Sequence, residues 1–190
     1  MNIKEKIINK SKTIKFESFD TYNYSYQEFV KFFESNPIDE HNLIIGCYFT
    51  YGWMPTILKN FDDTLIDHSI ISKLNGVKRG EELDSKSLEI LKKILNNSII
   101  GVSKLLHFIN PDLYPIWDRR VCTFICDKNY FSFVNKTSNY KNYFAIVKKL
   151  LLDDEIKKMC IEVRSRLNAN KLSDVRVIEL IMFEKENEIL

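Results

Sequence analysis

Two side chains in this 190-residue chain are placed for chemistry: Lys104 and Asp118, fourteen residues apart in SIIGVSKLLHFINPDLYPIWDRRV (residues 98–121). The sequence predicts a helix over about 102–109 and another starting after Asp118, with Pro111 and Pro115 marking the loop between them. On this reading Lys104 opens the first helix beside Gly101. Asp118 takes the N-cap position ahead of Val121, Cys122, Phe124 and Ile125. Taken singly, a lysine on a first turn is a solvated residue and an aspartate at a helix start is a cap. A chain that doubles back through the loop brings both to one cleft, and the pair then has a use. A neutral amine attacks an electrophilic carbon, and a carboxylate stabilises positive charge growing on the reacting group. Burial beside Leu105 and Leu106, or a nearby positive helix end, would lower the lysine pKa enough to free its lone pair.

A planar substrate held in such a cleft also needs flat, partly apolar walls. The turn Tyr51-Gly52-Trp53-Met54-Pro55 offers Tyr51 and Trp53, and Trp117 lies beside Asp118. Trp53 has an equally ordinary place in the core. His107, one turn after Lys104, is a packed or surface histidine, with a part in the chemistry as the other reading. Arg119, Arg120 and the amides near Gly101 can hold phosphates, although Arg120 can equally serve an internal pair.

Gly101-Val102-Ser103-Lys104 followed by Pro115-Ile116-Trp117-Asp118-Arg119-Arg120-Val121 resembles the helix-hairpin-helix DNA glycosylases, including their 8-oxoguanine branch. The close match spans about two dozen residues, with Ser103 standing where a second hairpin glycine is usual. The resemblance implies a glycosylase that excises a damaged or modified base from double-stranded DNA, with an abasic-site lyase activity. It casts Lys104 as nucleophile and Asp118 as catalytic carboxylate. It makes Tyr51, Trp53, Trp117 and His107 the base-binding set, and Gly101, Ser103, Arg119 and Arg120 the contacts to DNA. The iron–sulfur cysteine cluster of some relatives is absent, so no metal and no cofactor are expected. Base excision repair is the implied setting. A non-catalytic DNA-binding module of the same fold and a defence protein acting on modified phage DNA are the alternatives.

The elements that must position these residues are helical. Five Gly and four Pro among 190 residues are too few for the turns of a sandwich or barrel. The expected architecture is an all-α, single glycosylase-like domain over 1–190 with eight to ten helices. Ser25 and Glu28 form a capping-box pattern ahead of Phe29, Val30 and Phe33. Residues 42–51 are apolar nearly all round and predict a buried central helix, broken at Gly52–Thr56, with a short helix through Ile57 and Leu58 after it. Asn75-Gly76 and Gly80 predict a turn or small hairpin over 74–83. Asp84, Asp153 or Asp154, and Ser173 are further caps. The lysines of residues 1–20 form either a local basic patch or a flexible segment.

A formal charge of +2 confines any nucleic-acid surface to a local patch. Cys47, Cys122, Cys126 and Cys160 lack metal-ligand spacing and read as reduced thiols. No run of eighteen apolar residues and no signal-peptide pattern occurs, so a cytoplasmic monomer with no membrane partner is expected. Pro111-Asp112 with Glu155-Ile156-Lys157 superficially resembles a nuclease set, but that chemistry places its carboxylates on neighbouring strands around a metal. An aromatic protein-interaction module is the remaining rival.

Overall fold

Short polar side chains set the helix starts. Asp84, Asp118 and Ser173 each accept a hydrogen bond from the backbone N–H three residues on, at 2.7, 2.9 and 3.0 Å, and Asp153 accepts from Glu155 N and Ile156 N. Each such cap is worth about 1 kcal/mol. The structure, a computed structural model, describes residues 2–16, 19–54 and 56–184, with backbone alone at 20–22. Among the described residues the chain is all-α. The helices are α1 (Ile3–Thr13), α2 (Phe19–Ser35), α3 (Glu40–Trp53), α4 (His68–Lys78), α5 (Ser85–Ile94), α6 (Ile99–Ile109), α7 (Arg119–Cys126), α8 (Phe131–Val134), α9 (Thr137–Leu150), α10 (Asp154–Leu167) and α11 (Asp174–Phe183). One isolated antiparallel bridge joins Phe61 to Leu95. No described helix is long and apolar enough to cross a membrane.

The centre of the core is α6, covered by α2, α3, α4 and α5. Val102, Leu105, Leu106 and Phe108 are wholly buried, and burial of each such side chain stabilises by roughly 1.5–3 kcal/mol. The sequence pointed instead to residues 42–51 as the central helix. That segment, α3, leaves Tyr48 more than half exposed and Ile45 partly so. Apolarity all round made α3 a plausible centre, but only a helix with neighbours on every side can bury all its faces. Opposite this layer, α11 packs on α1, α7 and α10.

Other local expectations are corrected. Ser25 caps nothing at a helix start: α2 begins at Phe19, because Phe19, Tyr26 and Phe33 repeat at heptad spacing and bury one continuous stripe. Residues 56–60 are not helical, and a single 3-10 turn at Asp63–Leu65 follows them. Pro55, part of the expected helix break, lies outside the described residues. The hairpin over 74–83 is absent. Asp67 caps α4, whose stripe of Ile70, Leu74 and Val77 carries the helix through Asn75-Gly76 to Lys78. Gly80 then adopts φ 95° and closes a Schellman turn, with Glu81 N donating to Gly76 O and Gly80 N to Val77 O.

The basic N-terminus is neither a tail nor an open patch over residues 3–13. Asn2 and Glu5 form a capping box, and Ile7 is fully buried. Lys4 pairs with Asp153 and Glu155, both at 2.8 Å, and Lys6 and Lys10 lie over the Phe124 ring. Internal partners therefore engage much of the charge that suggested a nucleic-acid surface. The four cysteines are free thiols, with Cys47, Cys122 and Cys160 buried.

Candidate active site

Lys104 and Asp118 reach one cavity because the chain folds straight back along α6. After Ile109 a turn closes on Asn110 O, and Pro115–Trp117 returns antiparallel to the helix. Two residues of α6 clip that return. Ser103 Oγ accepts from Trp117 N at 3.0 Å and donates to Ile100 O at 2.8 Å. One turn on, His107 Nδ1 lies 2.6 Å from Tyr114 O. Ser103 adjoins Lys104 and Trp117 adjoins Asp118, so the first clip sets amine and carboxylate side by side.

The cavity encloses about 130 Å³, and four charged residues line it: Lys104, Asp118, Arg176 and Glu179. Phe19, Trp53 and Met54 wall it from α2 and the end of α3; Leu180 and Phe183 wall it from α11; Ile116 closes it beside Asp118. Lys104 Nζ sits 5.0 Å over the Trp53 ring and takes part in none of the ion pairs among the described residues. Burial holds its pKa below the usual lysine range, and Arg176 adds to this. Asp118 and Glu179 pull the other way. The cause is desolvation rather than the helix dipole. Lys104 does not open its helix, as the sequence suggested: Ser98 is the N-cap, so Lys104 stands mid-helix. Asp118 is the N-cap of α7, with Oδ1 accepting from Val121 N.

Arg176 and Glu179 are the site residues that sequence reasoning missed. Both are buried, and Arg176 Nη1 donates to Glu179 Oε2. The guanidinium also lies 4.9 Å from the Tyr26 ring and 5.5 Å from that of Trp53. Burial pushes the Glu179 carboxyl up to about 7 despite Arg176. The available signal was a pair of opposite charges three apart inside the otherwise apolar run VRVIELIMF.

Several expected contacts serve the scaffold instead. His107 is sealed. A carbonyl only accepts, so Nδ1–H donates to Tyr114 O and Nε2 accepts from the Tyr26 hydroxyl at 2.8 Å. Burial depresses its pKa to about 3, and it stays neutral. Trp117 is wholly buried, donates Nε1–H to Val134 O and packs on Tyr143. Tyr51 donates its hydroxyl to Leu95 O behind α6. Gly101 and Ser103 are buried, and Ser98 Oγ accepts from the Gly101 amide, so neither residue faces a phosphate. Arg119 and Arg120 are exposed, and Arg120 lies 4.5 Å over the Phe183 ring at the cavity's edge. Of the nuclease set, Asp112 lies exposed in the turn after α6 and Glu155 is engaged by Lys4.

Gly101 is required by close approach. A Cβ there would stand 2.7 Å from Tyr51 Oη, which its bond to Leu95 O holds in place. Gly101→Ala should therefore destabilise the fold by about 1–3 kcal/mol in urea unfolding, exceeding the helix-propensity gain of about 1 kcal/mol. An unchanged or raised midpoint would contradict the packing described. No protein-family model, curated protein or solved structure matches this chain.

Proposed function

We propose that the protein is a DNA glycosylase of the helix-hairpin-helix kind, with an associated lyase activity, that excises a damaged or modified base from duplex DNA. The observation that carries this reading is the meeting of Lys104 and Asp118 in one aromatic-walled cavity. Lys104 is the nucleophile and Asp118 the catalytic carboxylate. Phe19, Trp53 and Phe183 provide walls for a base swung out of the stack.

The chemistry begins with loss of a proton from Lys104, which burial already favours. Glu179 is the acceptor in the same cavity, since a carboxyl near 7 takes and gives a proton at neutral pH. The Lys104 lone pair then forms a bond to C1′ as the glycosidic bond breaks. The departing electron pair leaves with the base, which takes up a proton. Positive charge on the sugar peaks in this step, and Asp118 stabilises it. Loss of the second amine proton and cleavage of C1′–O4′, with protonation of O4′, give a protonated imine. Strand scission by β-elimination can follow.

Borohydride reduces such an imine to a stable amine. Wild-type protein should cross-link to duplexes within a panel of oxidised, alkylated and enzymatically modified bases, and Lys104→Ala should not. A cross-link that survives Lys104→Ala removes the nucleophile assignment. Absence of both cross-link and released base across the panel overturns the glycosylase reading.

A further inference from the structure

A second polar cleft lies between α5 and the start of α9. It spans about 600 Å³ and is lined by Lys92, Lys136 and Lys141 against a single carboxylate, Glu89. That carboxylate is already engaged. It lies 3.2 Å from Lys92 Nζ and accepts the Thr137 hydroxyl. Lys141 is exposed and donates to Ser85 Oγ at 2.9 Å, and Lys136 is exposed with no ion pair among those described. Beyond the Lys92–Glu89 pair, Lys136 and Lys141 leave the cleft with excess positive charge and no second carboxylate among its lining residues.

We propose that this cleft is an anion site that takes a phosphodiester of a nucleic-acid backbone. The two exposed ammonium groups of Lys136 and Lys141 line one concavity and give a point-charge cradle for phosphate oxygens, with Lys92 held by Glu89 on the same wall. The first turn of α9 adds donors. Its N-cap residue, Lys136, makes no side-chain capping bond, and the Thr137 and Ser138 amides have no acceptor among the described residues. The approach to the cleft favours a polymer over a free phosphate ion. Asn135, which lines the cleft, donates its backbone N–H to Phe131 O, so the turn that bears Tyr130 and Phe131, 54% and 59% exposed, adjoins the cleft, and Lys128 sits 4.8 Å over the half-buried Phe133 ring of the same turn. Flat exposed rings beside ammonium groups are what bases and phosphates together select. Nothing in this charge argument depends on catalysis; only the choice of DNA as the natural polymer rests on the glycosylase reading.

The test is the salt dependence of binding to an undamaged duplex, read by fluorescence anisotropy. Lys136→Gln/Lys141→Gln removes two exposed charges. The slope of log affinity against log salt should become shallower by about 0.9, the change for one lost phosphate contact, and affinity near 0.1 M salt should fall on the order of tenfold. Lys136→Arg/Lys141→Arg should keep the wild-type slope. An unchanged slope in the glutamine variant overturns the site. Displacement of bound DNA by millimolar inorganic phosphate equally in wild type and glutamine variant overturns it too. Phosphorus NMR showing inorganic phosphate held at the cleft, with DNA affinity unaffected by the substitutions, overturns the polymer as occupant. Lys104→Ala keeps the cleft intact. Loss of slope in the glutamine variant with no excision by wild type leaves this site standing and removes only the enzymatic reading.

Discussion

Asp118→Asn should slow single-turnover base excision by about two to three orders of magnitude and leave the fold nearly as stable as before. The substitution separates two roles of one side chain. Asp118 Oδ1 caps α7 by accepting from Val121 N. Asparagine keeps an oxygen in that place and caps about as well as aspartate, so the helix start survives. What disappears is the negative charge that faces the cavity beside Lys104. A charge stabilising an oxocarbenium-like sugar acts most in the transition state, so the loss should fall on the chemical step and spare DNA binding. Asp118→Ala removes the cap as well and should cost about 1 kcal/mol more in stability. Single-turnover rates and urea midpoints for the two variants check both halves. Asp118→Asn with a wild-type rate would reduce Asp118 to a cap.

The juxtaposition of Lys104 and Asp118 was legible because its determinants are local. Pro111 and Pro115 enforce a turn and an extended return, and an aspartate before an apolar stripe is a strong cap signal. The same locality made Asp84, Asp153 and Ser173 readable. What was not legible depends on which surfaces meet. Trp117 and Tyr51 are aromatic residues near the site in sequence, yet Trp117 bonds Val134 on α8 and Tyr51 bonds Leu95 behind α6. His107 fits a packed or a reactive role in the sequence alone, and only the two neighbours supplied by distant segments, Tyr26 and Tyr114, decide it.

Helix extent failed for related reasons. Asn75-Gly76 has strong turn propensity, but Asn75 Nδ2 donates to Ile38 O and Ile71 O, and that tertiary partner holds the segment helical. Residues 3–13 carry lysines that suggest solvent, and their burial follows only from the docking of α1 on α10 and α11. The largest omission was α11. Its apolar residues from Val175 to Met182 are buried, and Arg176 and Glu179 are buried among them. A buried ion pair within a closing helix lies some sixty residues from the motif it completes, and no local pattern links the two.

That ion pair gives the second large expected effect, in which stability and activity move in opposite directions with pH. Glu179 has its carboxyl raised from 4.5 to about 7 by burial, against the pull of Arg176. A carboxyl raised in the folded state favours folding most fully below 4.5 and loses that contribution as pH climbs through 7. At about 1.4 kcal/mol per unit the loss amounts to a few kcal/mol. Wild-type unfolding free energy should therefore decline between about pH 5 and pH 8, and Glu179→Gln should flatten that decline. Excision should show the reverse. The ionised carboxylate is the form that accepts the Lys104 proton, so the single-turnover rate should rise through neutral pH, and Glu179→Gln should remove the rise. Arg176→Leu alone strands a buried carboxylate and should cost about 3–5 kcal/mol. Arg176→Met/Glu179→Leu should recover most of that stability with excision still impaired, because an apolar pair fills the space and accepts no proton. If Glu179→Gln kept both pH profiles of the wild type, the carboxyl would be a packing element of α11, and the proton of Lys104 would have to leave by another path.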